Sequence, residues 1–177
     1  MALRNALDTW SSTQRRDAEG AIRSEQRVLA PHPVVEFTEQ GARALGSRYW
    51  REVGLASRGM VRARASARGV ELRLLGFGPT LLAFGRPEIA LRDEHVSCRY
   101  PILGGLLARR AAGALTLAQR GSRQSELYAG VDGFYPRLGV RPGLPRWSGA
   151  PYEQIQRRAH VAIGRRYFGR LIAEASR

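Results

Sequence analysis

Side chains able to act as nucleophiles, metal ligands or proton carriers near neutral pH are few in this chain: His32, His95, His160 and one cysteine, Cys98. His95 and Cys98 are three residues apart, and in a strand they point to opposite faces, so they form no local Cys–His pair. One cysteine excludes an internal disulfide and a cysteine-rich zinc site. No metal or cofactor is expected. "GFGPTL" has two glycines at the spacing of a dinucleotide loop, but it lacks the third and carries Pro79 where a helix should open. Asp132 in "GVDGFYPRL" is flanked by glycines and reads as a turn rather than a general base. His160 shares a helical segment with Tyr152, Glu153 and Gln156; it either lines a pocket or is a structural histidine. A cyclase- or isomerase-like enzyme would have to assemble an acid or base from scattered side chains, so the question of catalysis stays open.

All 29 basic residues are arginine, as expected from the codon bias of a GC-rich genome, such as that of a high-GC bacterium, rather than from local selection. The net charge of +14 is not explained that way, because exchanging lysine for arginine preserves charge. Residues 61–75, 101–125 and 151–177 carry most of the excess. They form either one basic patch or a scattered solvated surface. Nucleic acid is the less favoured partner, since strands over 61–75 contain no aromatic to stack a base, and the arginines of the last helix spread around more than half its circumference.

The most apolar stretch is "VSCRYPILGGLLARRAAGALTLAQR", residues 96–120. Arg109 and Arg110 sit in the middle of its apolar run, and each would cost ~2.5–3.5 kcal/mol at a bilayer centre, so it does not span. Pro101 and the Gly104-Gly105 pair argue against a long helix; two strands and a connection are expected. The connection is either core or an apolar tip whose Arg109 and Arg110 contact an anionic membrane surface peripherally. The first 30 residues lack a continuous apolar segment and carry four acids, unlike a secretory signal, so a cytoplasmic location is expected.

These residues must be positioned by elements that the periodicity predicts. Residues 1–30 read as a polar, partly helical extension, and residues 31–177 as a single α+β domain of ligand-binding type. Within it, "VVEF" (34–37) is expected as a short strand. A helix follows from Thr38 to about Ser57, with Ala42, Leu45, Tyr49, Val53 and Ala56 on its apolar stripe and Arg43, Arg51 and Glu52 elsewhere. From Gly59 the period becomes two, and strands follow without an intervening helix: "MVRARAS", "VELRLL", a broken "GFGPTLLAFGRP", the hairpin "EIALRDEHVSCRY", "ALTLAQ" and "SELYAGV". A Pro- and Gly-rich loop leads to a long helix opened by Pro151.

The resulting fold class is a curved antiparallel β-sheet meander with a helix before it and a long C-terminal helix packed on its concave face. That order of elements, over residues 34–177, resembles the START/SRPBCC helix-grip family. The resemblance implies a cavity between sheet and C-terminal helix that takes an apolar small molecule or lipid, and it assigns no catalytic residue. The candidate lining residues are Leu72, Leu74, Leu82, Phe84, Leu91, Leu115, Leu117, Phe134, Ile155, Ala159 and Ile163. An ordinary filled core is the competing expectation for them, and the sequence does not fix the oligomeric state.

Overall fold

The computed structural model describes residues 8–137 and 150–176, and for residues 150–157 and 159 it describes the backbone alone. Two strands come first, β1 (Ser11–Arg16) and β2 (Ile22–Ala30), followed by helix α1 (Glu39–Ala56). Seven strands follow: β3 (Val61–Ser66), β4 (Gly69–Leu74), β5 (Thr80–Gly85), β6 (Glu88–Arg92), β7 (His95–Gly104), β8 (Ala114–Arg120) and β9 (Ser125–Phe134). Helix α2 (Ala150–Ala175) comes last. The nine strands form one antiparallel sheet in the order β1-β2-β9-β8-β7-β5-β4-β3, with β6 branching off as a partner of β7. The fold is α+β, and the sheet with a helix inserted before the β3–β9 series and another after it is the expected helix-grip arrangement.

The expected extension over residues 1–30 is corrected: residues 11–16 and 22–30 are sheet strands, with β2 paired to β9 from Ile22↔Phe134 to Ala30↔Ser125. Along β2 the inward positions are Ile22, Ser24, Gln26, Val28 and Ala30, and all but Gln26 are apolar or small. Ser24 and Gln26 are buried polar residues, so the period-two signal is interrupted where a hydrophobic count looks for it. Residues 1–7 of that extension fall outside the described residues, as does most of the loop before α2.

"VVEF" is also corrected. It forms no strand; its backbone is held by Gln119 of β8, whose Oε1 accepts from Val34 N (2.7 Å) and Val35 N (3.0 Å) while its Nε2 donates to Val35 O (2.8 Å). A fully buried glutamine thus supplies the pairing that a neighbouring strand would have given.

Helix α1 starts where the sequence places it, with Thr38 Oγ1 accepting from Gly41 N at 3.1 Å. Its buried face includes Ala42, Leu45, Tyr49 and Val53, and also Trp50 and Glu52. Glu52 was expected outside the stripe. It is buried because α2 brings Arg166 Nε to 3.4 Å and Arg170 Nε to 3.3 Å of its carboxylate. A second carboxylate, Glu174 of α2, lies 3.2 Å from Arg48 and 2.8 Å from Arg51 of α1, so the two helices meet along an ionic seam. Beneath it, Tyr167, Phe168, Leu171 and Ile172 of α2 are fully buried, with the Tyr167 ring edge-on to Tyr49 at 5.3 Å and its hydroxyl donating to Leu45 O at 3.2 Å.

Candidate ligand cavity

Strand alternation and the two helix faces converge on one space. From the sheet come Ile22 and Ser24 (β2), Leu72 (β4), Leu82 and Phe84 (β5), Ile102 (β7), Leu115 (β8), and Val131 and Phe134 (β9), with Gln14 of β1 at the margin. Helix α1 contributes Tyr49, Trp50 and Val53, one face at i, i+1 and i+4; α2 contributes His160 and Ile163, at i and i+3. The volume of this partly open space is about 160 Å³. That is close to a cavity that takes up one benzene, and well below the several hundred Å³ of a drug-sized site.

Among the described residues, only Gln14, Ser24, Tyr49, Trp50 and His160 bring polar atoms to this lining. Among the described residues, the Nε2 of His160 is buried without a hydrogen-bond partner. Loss of hydration lowers the pKa of this imidazole to about 4, so it is neutral at pH 7. Its position is fixed from behind. Gln26 Nε2 donates to His160 O at 3.0 Å, and one turn later Gly164 lies against the same amide, where a Cβ would collide with Gln26 Oε1. Burial raises the Tyr49 hydroxyl pKa above its usual value, which removes it as a proton acceptor. The aromatic wall is continuous, with Trp50 5.0 Å from Phe84 and 5.1 Å from Tyr100 between ring centroids.

Of the residues expected to line a cavity, Leu72, Leu82, Phe84, Leu115, Phe134 and Ile163 do so. Leu74, at the end of β4, and Leu117, fully buried beside Cys98, do not; Leu117 faces core already filled. Leu91 is a correction. It shares a sheet face with Val96, but at the tip of the β6–β7 hairpin nothing covers it, and it is 47% exposed. The side chains of Ile155 and Ala159 lie outside the described residues. As lining residues, sequence reasoning missed Gln14, Ile22, Ser24, Tyr49, Trp50, Val53, Ile102 and Val131; the alternation of β9 held the signal for Val131, and the apolar stripe of α1 held it for Tyr49 and Val53.

Cys98 is fully buried and its thiol pKa is raised by desolvation, so it is no nucleophile. No metal-binding group of three or more His, Cys, Asp or Glu occurs among the described residues. No helix among them is long and apolar enough to cross a membrane.

The 101–112 stretch is neither a core strand throughout nor a free tip. Ile102 lines the cavity and Ala108 is buried, while Leu103 and Leu106 are exposed and Leu106 N and Leu107 N donate to Thr80 O and Leu81 O. Arg109 and Arg110 are engaged within the protein. The Arg110 guanidinium stacks 3.5 Å over the Tyr135 ring and lies 3.5 Å from Glu19 Oε2; Arg109 Nη2 donates to Glu19 O at 3.2 Å. The anionic-surface role expected of this pair is not favoured by that geometry.

No protein-family model matches the chain, and no curated protein matches it either. Similar solved structures include Ara h 8.0201, at 14% identity over 84% of this chain and 99% of that one, with a TM-score of 0.42. Another is the lipid transfer and protein localization domain of human StarD13 (DLC2), at 14% identity over 90% of this chain and 88% of that one, with a TM-score of 0.42. The helix-grip arrangement of this chain is given by its strand order and two helices themselves.

Proposed function

We propose that this chain binds a small, largely apolar molecule, about one ring in size, with a single hydrogen-bonding group directed at His160. The observation that carries the reading is the 160 Å³ cavity, apolar except for a few atoms and containing the buried, unpartnered His160 Nε2. An orphaned buried nitrogen costs about 1–3 kcal/mol, and a ligand hydroxyl, which can donate or accept, recovers it whichever tautomer the imidazole adopts. A catalytic reading gains less support. Among the described residues the lining holds one imidazole, weakly basic at pH 7, and no carboxylate.

Phenol and toluene have nearly the same shape and differ in the hydroxyl. Titration calorimetry of the whole chain should find both bound, with phenol about ten-fold tighter, the worth of one recovered hydrogen bond. His160→Leu should erase that preference while toluene still binds. If neither compound binds, the cavity reading is wrong; if both bind equally, the role given to His160 is wrong.

A further inference from the structure

The side chain most at odds with its surroundings lies outside the cavity. Phe77, in the turn between β4 and β5, is 79% exposed, Leu75 in the same turn is 48% exposed, and Met60 in the turn between α1 and β3 is 59% exposed. The two turns are joined, since Leu75 N donates to Met60 O at 2.7 Å. They form one apolar tip at one end of the sheet.

The backbone holds the tip out at a cost. Leu75 has φ 54° and Gly76 φ 85°, so a branched residue occupies a left-handed conformation that a glycine or asparagine would take more readily. Such conformations concentrate where a turn has work to do besides connecting strands. Beside the tip are Arg58, Arg62 and Arg64, and none of the three forms an ion pair among the described residues. Arg62 and Arg64 reach the turn itself: a Cβ at Gly76 would stand 3.1 Å from Arg62 Cδ and 3.4 Å from Arg64 Nη2. The neighbouring carboxylate, Glu71, is paired with Arg73 at 3.1 Å.

From this arrangement we infer that the Met60–Leu75–Phe77 tip and its three arginines dock on an anionic lipid bilayer. Charge complementarity selects an anionic partner. The tip selects lipid over nucleic acid, because Phe77 is its one aromatic and two of its three apolar side chains are aliphatic, which a hydrocarbon boundary buries and a stack of bases does not. Phe77 would sit at the headgroup–acyl boundary while the guanidinium groups meet the phosphates, each arginine adding roughly five-fold to the partition coefficient.

Co-sedimentation of the full chain with vesicles of phosphatidylcholine containing phosphatidylserine, and of phosphatidylcholine alone, tests this. Pelleting is expected with the anionic vesicles only, weakening steeply with salt. Phe77→Ser should lower binding about ten-fold, and the triple change Arg58→Gln, Arg62→Gln and Arg64→Gln roughly 100-fold. Arg92→Gln, Arg120→Gln and Arg123→Gln, at the opposite end of the sheet, remove the same charge and should have a much smaller effect. All four altered positions of the tip are on the surface, and circular dichroism verifies folding. Unchanged binding by Phe77→Ser, equal losses from the two triple variants, or a Phe77-dependent complex with a single-stranded oligonucleotide but not with vesicles would each overturn the inference.

Discussion

Acidification should weaken this fold through His160 specifically. The ordinary histidine pKa is 6.5, and burial lowers that of His160 to about 4 in the folded chain. The unfolded chain therefore takes up a proton between those values that the folded chain refuses. The contribution to stability is fully present above pH 6.5 and is lost as the pH falls toward 4. At 1.36 kcal/mol per pKa unit, the loss amounts to about 3 kcal/mol by pH 4 and about 2 kcal/mol at pH 5. Part of the residue's surface remains exposed while Nε2 is buried, so these figures are upper values. Urea unfolding at about pH 7, 6 and 5, compared between the native chain and His160→Leu, isolates the effect, because the carboxylates titrate alike in both. The native chain should lose stability faster, by up to about 2 kcal/mol at pH 5. Parallel pH profiles, or an imidazole titrating near 6.5 by NMR, would refute the buried neutral histidine.

Two further substitutions test how segments around the sheet and α2 are held. Gln119→Leu orphans the Val34 and Val35 backbone groups that three hydrogen bonds now satisfy, and should cost about 3 kcal/mol in chemical unfolding. Gly164→Ala gains helix propensity but drives a methyl into the Gln26 amide; thermal unfolding should fall by roughly 2–8 °C, whereas a rise would mean that Gln26 moves aside freely.

What the sequence disclosed and what it hid follow from how each element is buried. Helix α1 was legible because Ala42, Leu45, Tyr49 and Val53 keep one spacing and Thr38 caps it. The strands from β3 onward were legible by their alternation, except β5, which showed only as an apolar run broken by Gly and Pro, and six cavity residues were legible with them. β2 was not, because Ser24 and Gln26 occupy inward positions that a hydrophobic pattern leaves blank. Those two residues serve the cavity margin and the α2 contact, so the misreading fell where polarity has a structural purpose. Glu52 was assigned to solvent for a related reason. Its burial depends on Arg166 and Arg170, more than a hundred positions away, and no local pattern carries that information.

The ionic seam between α1 and α2 fixes more than their proximity. An apolar helix face slides on another with modest loss, since one leucine replaces the next. A slip of α2 by one turn, 5.4 Å, would leave the dehydrated Glu52 carboxylate with only one of Arg166 and Arg170, which stand a turn apart, besides Arg51 of its own helix, while Glu174 would leave Arg48 and Arg51 together. Two carboxylates on opposite helices, fully answered together at one register only, act as a key cut in two places. Because His160 and Ile163 ride on the same helix, that key sets how deep the imidazole stands in the cavity.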